Sequence, residues 1–342
     1  MESSKLITFL VPAYNSEAYL HICLDSLLKC DTSKIEILVV DDGSKDKTGE
    51  IADKYHAEHP DVIRVIHKEN GGHGDAINDG VREAKGKYFK IVDSDDWVDE
   101  SALNKTIKVL EENKNEPDLY IMNYRYFVGY DNPDKIIAYR TVFNELVLHT
   151  LNDAKFIDLQ KNLTLHSCMF KLDVIKKSNA PLPRKVSYED NYFVYAGLCN
   201  INTFIYIDCN FYCYLIGRDG QSVSRDVCIR KFKDHLLISK LMNDYFDLMS
   251  IKKTDKRRFG VLYHHVRLVF MIAVIYSRLN KTKEAREDYK NFVKDLKTKH
   301  IKLYRKLRYR SLAGLLMFPG ALGRFVVKFG IALARLFVPF YK

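Results

Sequence analysis

The chain has 342 residues, of which 47% are hydrophobic and 29% are charged. It is therefore long enough for more than one buried core, and its composition excludes disordered and collagen-like proteins. The formal net charge is +10, but eleven Lys and Arg follow position 295 without any Asp or Glu, and the rest of the chain is nearly neutral. A nucleic-acid-binding protein would spread its cations over the fold, so no nucleic acid partner is expected.

Strand-like and helix-like segments alternate along the first 125 residues. Apolar runs predict four strands, at 6–11, 35–40, 62–66 and 88–92. Helical spacing predicts helices at 17–29 and 47–56, and a glycine-rich turn at 70–74 opens a third helix that continues through 84. This alternation predicts a parallel sheet built of βα units. Farther along the chain, the pattern predicts a helix at 189–198, one or two strands at 203–216, and helices over 228–300.

Polar residues follow three of the predicted strands, namely Ala13-Tyr14-Asn15, Asp41-Asp42 and Asp93-Ser94-Asp95-Asp96. Ligands bind at the carboxyl ends of the strands in open α/β sheets, so these clusters are expected to form one site. Carboxylates this close in sequence repel one another unless a cation is present. Mg²⁺ and Mn²⁺ take hard oxygen ligands and bridge phosphates. A divalent cation is therefore expected, and a helix N-cap cluster is the alternative.

Four segments resemble, in order and spacing, the motifs of family 2 glycosyltransferases. They are 11–17 (Val-Pro-Ala-Tyr-Asn-Ser-Glu), 39–44 (Val-Val-Asp-Asp-Gly-Ser), 70–72 (Asn-Gly-Gly) and 92–97 (Val-Asp-Ser-Asp-Asp-Trp). The resemblance is close over about 5–125 and looser to about 225. It implies an α/β fold of the GT-A (Rossmann-like) type that binds a nucleotide sugar, usually a UDP-sugar, and inversion at the anomeric carbon. The predicted domains are a GT-A domain at 1–225, a helical region at 226–300 and a basic amphipathic tail at 301–342.

The resemblance also implies roles for single residues. The residues predicted to bind the nucleotide sugar are Pro12, Ala13, Tyr14, Glu17, Asp42, Asn70, Gly71, Asp93, Arg218 and Arg225. The first four would line the base and ribose, and Asp42 would contact the uracil ring. Asp95 is expected to be the direct ligand of Mn²⁺ or Mg²⁺. For the glycine-rich segment at 70–74, a plain turn is the alternative.

An inverting transferase needs a carboxylate that takes the proton of the acceptor hydroxyl. Segment 186–191 (Val-Ser-Tyr-Glu-Asp-Asn) resembles the Glu-Asp element of the family, in which Asp190 would be this base. The alternative is an ordinary carboxylate in the first turn of a helix. Residues 218–225 depart from the Gln-x-x-Arg-Trp element of the processive synthases, and either Arg218 or Arg225 could pair with phosphate. For His166 a structural role is favoured over a place near the acceptor.

The last segment combines cations with apolar residues. Residues 301–310 interleave Lys and Arg with Leu and Tyr, and Arg324, Lys328 and Arg335 fall on one stripe of a helix over 321–338. Such a helix is typical of an anionic membrane surface, and packing on the protein's own core is the alternative.

Together these features predict an inverting, non-processive glycosyltransferase that works from the cytoplasm, at the inner face of the cell membrane. Its acceptor would be a glycan, and specifically a lipid-linked precursor of a bacterial surface polysaccharide. One alternative is a soluble transferase that glycosylates a protein or a teichoic-acid-like polymer. A second alternative is a nucleotide-sugar-binding partner subunit without activity, which would not need Asp190.

Overall fold

A computed structural model describes residues 5–130, 133–153, 161–217, 221, 224–320, 322–323 and 325–328. The chain divides into two compact units, Met1–Arg218 and Asp219–Lys342. The boundary falls before residue 225, the predicted end of the first domain. The separation of a tail at 301–342 from the helical region at 226–300 stays a prediction.

The first unit alternates strands and helices. Its strands are β1 (Ile7–Ala13), β2 (Ile35–Asp41), β3 (Ile63–His67), β4 (Tyr88–Ile91), β5 (Trp97–Val98), β6 (Leu119–Val128), β7 (Pro133–Ile137), β8 (Leu148–Thr150), β9 (Cys168–Lys171) and β10 (Thr203–Ile216). Its helices are α1 (Leu20–Leu27), α2 (Thr48–Glu58), α3 (His73–Glu83), α4 (Glu100–Glu112), α5 (Leu172–Ser178) and α6 (Asp190–Asn200).

These strands form one mixed sheet in the order β3-β2-β1-β4-β9-β6-β10-β5, with β7 beside β6 and β8 beside β10. The first four strands are parallel, as the alternating pattern predicts. Every residue of β1 and β2 is buried, which explains why both are continuous apolar runs rather than alternating ones. The short strand β9 lies antiparallel between β4 and β6.

The second unit is helical. Its helices are α7 (Arg225–Arg230), α8 (Phe232–Tyr245), α9 (Lys256–Leu279), α10 (Lys283–Lys299), α11 (Ile301–Tyr309) and α12 (Ala313–Leu316). Helix α9 packs against α8, α10 and α12, and α11 buries Leu303 and Leu307. Within the described ranges, α9 is the one helix with the length and apolar composition of a membrane span, and 61% of its most apolar stretch is buried in the protein. A core helix meets the same description.

Candidate active site

The loops that follow β1 and β2 are hydrogen-bonded to each other. Asn15 Oδ1 accepts a bond from the Lys45 amide at 2.8 Å, and Glu17 Oε2 accepts one from the Lys47 amide at 3.0 Å. Tyr14 projects from this surface and is 49% exposed. Pro12 and Ala13 are buried beneath it at the end of β1. The two strand ends therefore form one continuous surface, on which the Tyr14 ring is accessible to a ligand.

Asp42 organises the glycine-rich loop. Its carboxylate accepts hydrogen bonds from the amides of Gly71 (2.8 Å) and Gly72 (2.7 Å), and the Lys68 ammonium lies 3.1 Å away. The Asn70 side chain donates to the Asp42 carbonyl at 3.0 Å. Asp42 is 2% exposed, so these bonds compensate a buried charge. The two glycine amides are therefore directed at Asp42, and the predicted contact of Asp42 with uracil stays a prediction.

The acidic segment after β4 forms a group with a histidine distant in sequence. Asp93, Asp96 and His166 each place one donor atom within 4.8 Å of the other two. Burial raises the pKa of Asp96 well above its ordinary value, and the charge of Asp93 adds to this effect. Burial also lowers the pKa of His166 to about 4, so its ring is neutral at physiological pH. A cation bound there would favour the ionised form of Asp96. The oxygens of the two aspartates then fit Mn²⁺ or Mg²⁺, and the neutral His166 ring is the third ligand that the group offers.

His73 connects this acidic group to the segment that carries the predicted base. Its Nε2 lies 3.0 Å from Asp93 Oδ1, and its Nδ1 lies 2.7 Å from Glu189 Oε1. Burial opposes a charged imidazole, but the two carboxylates raise the pKa of His73 well above its ordinary value. His73 is therefore a cation that bridges two carboxylates 96 positions apart in sequence.

Asp190 begins α6, directly after the buried Glu189. Burial raises the pKa of Asp190 to about 7, and the charge of Glu189 adds to the shift while that of His73 opposes it. A base with a pKa near the working pH combines a useful ionised fraction with a strong tendency to take a proton. The local environment therefore gives Asp190 the acid–base properties that inverting transfer needs.

The loop before Asp190 rests on the first turns of α3. The Asn78 side chain donates to the Leu182 carbonyl and accepts from the Leu182 amide, both at 2.9 Å. The Lys185 amide donates to the Gly71 carbonyl at 2.7 Å. Gly72 has φ +90°, and a Cβ there would lie 2.9 Å from the Lys185 nitrogen. A side chain at position 72 would therefore push the loop away.

The structure brings five of the twelve predicted residues into two adjoining clusters. One cluster contains Asp42, Asn70 and Gly71, and the other contains Asp93 and, through His73 and Glu189, Asp190. Asp95 is half-buried and is not a member of the group formed by Asp93, Asp96 and His166. Its role as metal ligand stays a prediction. Arg225 begins α7 in the second unit, so its phosphate contact is also a prediction, and Arg218 lies outside the described residues.

Sequence reasoning missed three residues of this site. His73 directly follows the glycines of a recognised motif, which was the available signal. Asp96 adjoins Asp95, but its buried bonds to Tyr212 (2.7 Å) and the Leu215 amide (2.8 Å) depend on a strand 116 or more residues away. His166, for which a structural role was favoured, has no local pattern that marks it.

Comparison with known proteins identifies the family. Residues 8–178 match the family described as glycosyl transferase family 2. The chain belongs to this family. The resemblance inferred from the four motifs is therefore confirmed.

Several curated proteins are similar over part of the chain. The uncharacterized glycosyltransferase EpsJ of Bacillus subtilis is 42% identical over 109 residues, which is 32% of this chain and 31% of EpsJ. The poly(ribitol-phosphate) β-N-acetylglucosaminyltransferase TarS of Staphylococcus aureus is 26% identical over 222 residues, 63% of this chain and 36% of TarS. In each case the match spans well under half of the relative.

Solved structures establish the fold. The crystal structure of TarS residues 1–349 in complex with UDP-GlcNAc superposes with a TM-score of 0.70 at 21% identity, over 97% of this chain and 92% of that one. A mannosyltransferase from Pyrobaculum calidifontis, in complex with GDP-Man and Mn²⁺, gives a TM-score of 0.52 at 14% identity, over 98% and 88% of the two chains. The predicted GT-A fold with a helical C-terminal region is confirmed.

Proposed function

We propose that this protein transfers one sugar at a time from a UDP-sugar to a glycan acceptor, with inversion at the anomeric carbon. The observation that carries this proposal is the placement of Asp190. It lies next to Glu189, which His73 joins to Asp93 of the donor motif, and its pKa is raised to about 7. A pure binding subunit has no need for a carboxylate tuned in this way beside its donor site.

In the proposed mechanism, Asp190 takes the proton of the acceptor hydroxyl, and the oxygen of that hydroxyl forms the new bond to the anomeric carbon. The bond from that carbon to the diphosphate breaks on the opposite face, and UDP leaves with the electron pair. Asp93, Asp96 and His166 would hold a divalent cation, which supplies positive charge for the departing diphosphate. His73 holds Glu189 and Asp93 at a fixed separation, so the base and the donor site keep their relative position.

The uridine preference is supported by the relatives. TarS, whose fold this chain shares, was crystallised with UDP-GlcNAc. In this chain the exposed Tyr14 ring and the buried Asp42 stand at the adjacent ends of β1 and β2, where the family motifs place the nucleoside. The chain thus offers a stacking surface and a polar loop at the expected donor position.

A lipid-linked acceptor at an anionic membrane is supported by the second unit. Tyr309, Leu312 and Phe325 are 71%, 67% and 65% exposed, and the neighbouring Arg305 and Arg310 are exposed as well. Anionic headgroups attract such cations by about 1 kcal/mol each. Leu303 and Leu307 are buried, so α11 serves the helical core as well as this surface. We place the enzyme in the cytoplasm, at the inner face of the membrane.

A teichoic-acid-like polymer is the second candidate acceptor. The name of TarS specifies a poly(ribitol-phosphate) acceptor, and its structure covers almost the whole of this chain. A soluble enzyme with this acceptor would not need the exposed apolar residues of the second unit.

The experiment is donor turnover by the purified chain. We expect UDP release from at least one UDP-sugar in the presence of Mn²⁺, little release from GDP-sugars, and loss of release in excess EDTA. The Asp93→Asn variant should lose release together with metal-dependent donor binding, because a hard cation loses an anionic ligand. Full turnover in EDTA would contradict the metal-dependent mechanism, and no turnover of any UDP-sugar would contradict the proposed donor.

A further inference from the structure

Two parallel strands carry tyrosines at alternating positions. β6 contributes Tyr124 and Tyr126, and β10 contributes Tyr212 and Tyr214. The register pairs Tyr124 with Tyr212 and Tyr126 with Tyr214. Because alternate residues of a strand face the same side, the four rings share one face of the sheet. The Tyr126 and Tyr214 ring centroids lie 5.5 Å apart.

The two pairs differ in exposure. Tyr124 and Tyr212 are buried, and the Tyr212 hydroxyl donates to Asp96 at 2.7 Å. Tyr126 and Tyr214, one step nearer the carboxyl ends of the strands, are half-buried. The inner pair therefore supports the acidic group, whereas the outer pair offers ring surface to a ligand.

The outer pair borders the reacting groups. The His166 ring stacks on Tyr214 with a centroid distance of 4.3 Å and an interplanar angle of 22°, and His166 belongs to the group with Asp93 and Asp96. Asp190 is also among the charged neighbours of the Tyr214 phenol. Among the described residues, none forms a hydrogen bond with the Tyr214 hydroxyl. Within the described part of the chain, a phenol with no protein hydrogen-bond partner thus stands close to Asp190.

The sheet order separates this surface from the nucleotide. β1 and β2, whose loops carry the predicted nucleoside-binding residues, lie on one side of β4. β6 and β10 lie on the other side of β4, beyond β9. Asp93 follows β4, so in the proposed function the donor diphosphate lies between the loops of β1 and β2 on one side and the tyrosines of β6 and β10 on the other. The tyrosines therefore lie on the side of Asp93 away from the predicted nucleoside site, which leaves their surface to the acceptor.

We propose that Tyr126 and Tyr214 bind the terminal sugar ring of the acceptor. A pyranose has a face of C–H groups that packs on an aromatic ring, and hydroxyls at its edge that bond to a phenol. This inference rests on the proposed function and narrows the acceptor to a glycan that ends in a ring. A chain of alditol phosphates has no such face. Its negatively charged phosphates would also be repelled by the carboxylates of Asp93, Asp96 and Asp190.

The test uses the full chain with a responsive UDP-sugar and five acceptor probes: the aryl glycosides of glucose, galactose, N-acetylglucosamine and mannose, and poly(ribitol phosphate). We expect Tyr214→Ala and Tyr126→Ala to raise the KM of the accepted glycoside about tenfold, which corresponds to about 1.4 kcal/mol. The affinity for UDP, measured by calorimetry, should stay within about twofold. Tyr214→Phe keeps the ring, so it should raise the KM of the accepted glycoside less than Tyr214→Ala does. Tyr130→Ala, an exposed tyrosine beyond the end of β6, is the matched control.

Several outcomes would overturn the inference. They are an unchanged KM in both variants, a parallel loss of UDP affinity, transfer to the ribitol phosphate polymer alone, and donor hydrolysis without transfer to any glycoside. If Tyr214→Ala does not fold, Tyr214→Leu removes the aromatic face and keeps most of the volume. Failure of the proposed function looks different, because the wild-type chain would then release UDP from no donor.

Discussion

The role of Asp190 can be tested by one substitution combined with a pH profile. Asp190→Asn keeps the shape of the side chain and removes the proton acceptor. We expect transfer to fall by on the order of 10²-fold or more, as for the loss of a general base. UDP affinity should change by less than about threefold, because the predicted nucleoside-binding residues lie in the loops after β1 and β2, whereas Asp190 begins α6. Parallel loss of rate and of donor affinity would instead make Asp190 a donor-binding residue.

The pH dependence follows from the burial of Asp190. Its pKa is raised to about 7, so the carboxyl is protonated and inactive below that value and becomes a base as the pH rises. At this pKa the ionised fraction rises from roughly one tenth at pH 6 to roughly nine tenths at pH 8. The rate should therefore increase about tenfold over this range. A bound divalent cation would move the midpoint, and the range of this increase with it, to lower pH, so every point of the profile is recorded at the same saturating Mn²⁺ concentration.

A matched control separates catalysis from helix capping. Asp173 is also a carboxylate in the first turn of a helix, α5, but it is exposed. Asp173→Asn should leave both the rate and the pH profile unchanged. Equal losses in the two variants, measured as UDP release with acceptor present, would refute the assignment of Asp190 as base. A wild-type profile that stays flat from pH 5 to pH 9 would refute it as well.

The remaining predictions concern the support of the base and the membrane surface. Asn78→Ala removes both hydrogen bonds to the buried Leu182 backbone. We expect the free energy of unfolding, measured by urea denaturation, to fall by about 1–3 kcal/mol. We also expect a lower kcat with little change in UDP affinity. Normal stability and kcat would mean that the loop before the base holds its place without Asn78. The double variant Leu312→Glu and Phe325→Glu should abolish co-sedimentation with anionic vesicles at low salt without lowering donor turnover. The control Val128→Glu, in the exposed end of β6, should still co-sediment with these vesicles. Wild-type protein that ignores such vesicles would contradict the membrane proposal.

The parallel half of the sheet was predictable because its signal is local. Continuous apolar runs mark β1 and β2, and the predicted strands at 35–40 and 88–92 coincide with β2 and β4 to within one residue. The 203–216 segment, predicted as one or two strands, is the single strand β10. The short strands β7, β8 and β9 were not predicted, since three to five residues carry too little periodicity to distinguish a strand from a loop.

The site was predictable to the extent that its residues lie in recognised motifs. Asp93 and Asp190 were identified in this way, and the structure connects them. His73, Asp96 and His166 act through contacts with residues distant in sequence, such as the bond from His73 to Glu189 across 116 positions. The paired tyrosines of β6 and β10 show a period of two in the sequence, but their common face follows only from the parallel pairing of the two strands.

The segment 70–78 is hydrogen-bonded to two other parts of the candidate site. A glycine-rich turn at a helix start is typical of phosphate binding through free amides. Here the amides of Gly71 and Gly72 donate hydrogen bonds to the Asp42 carboxylate. The Gly71 carbonyl, His73 and Asn78 form hydrogen bonds with the loop that ends in Asp190. One short segment is thus hydrogen-bonded to Asp42 on one flank and to the loop before Asp190 on the other. Neither glycine has room for a side chain, because a Cβ at position 71 would overlap the Asp75 side chain of α3 and one at position 72 would lie 2.9 Å from the Lys185 nitrogen.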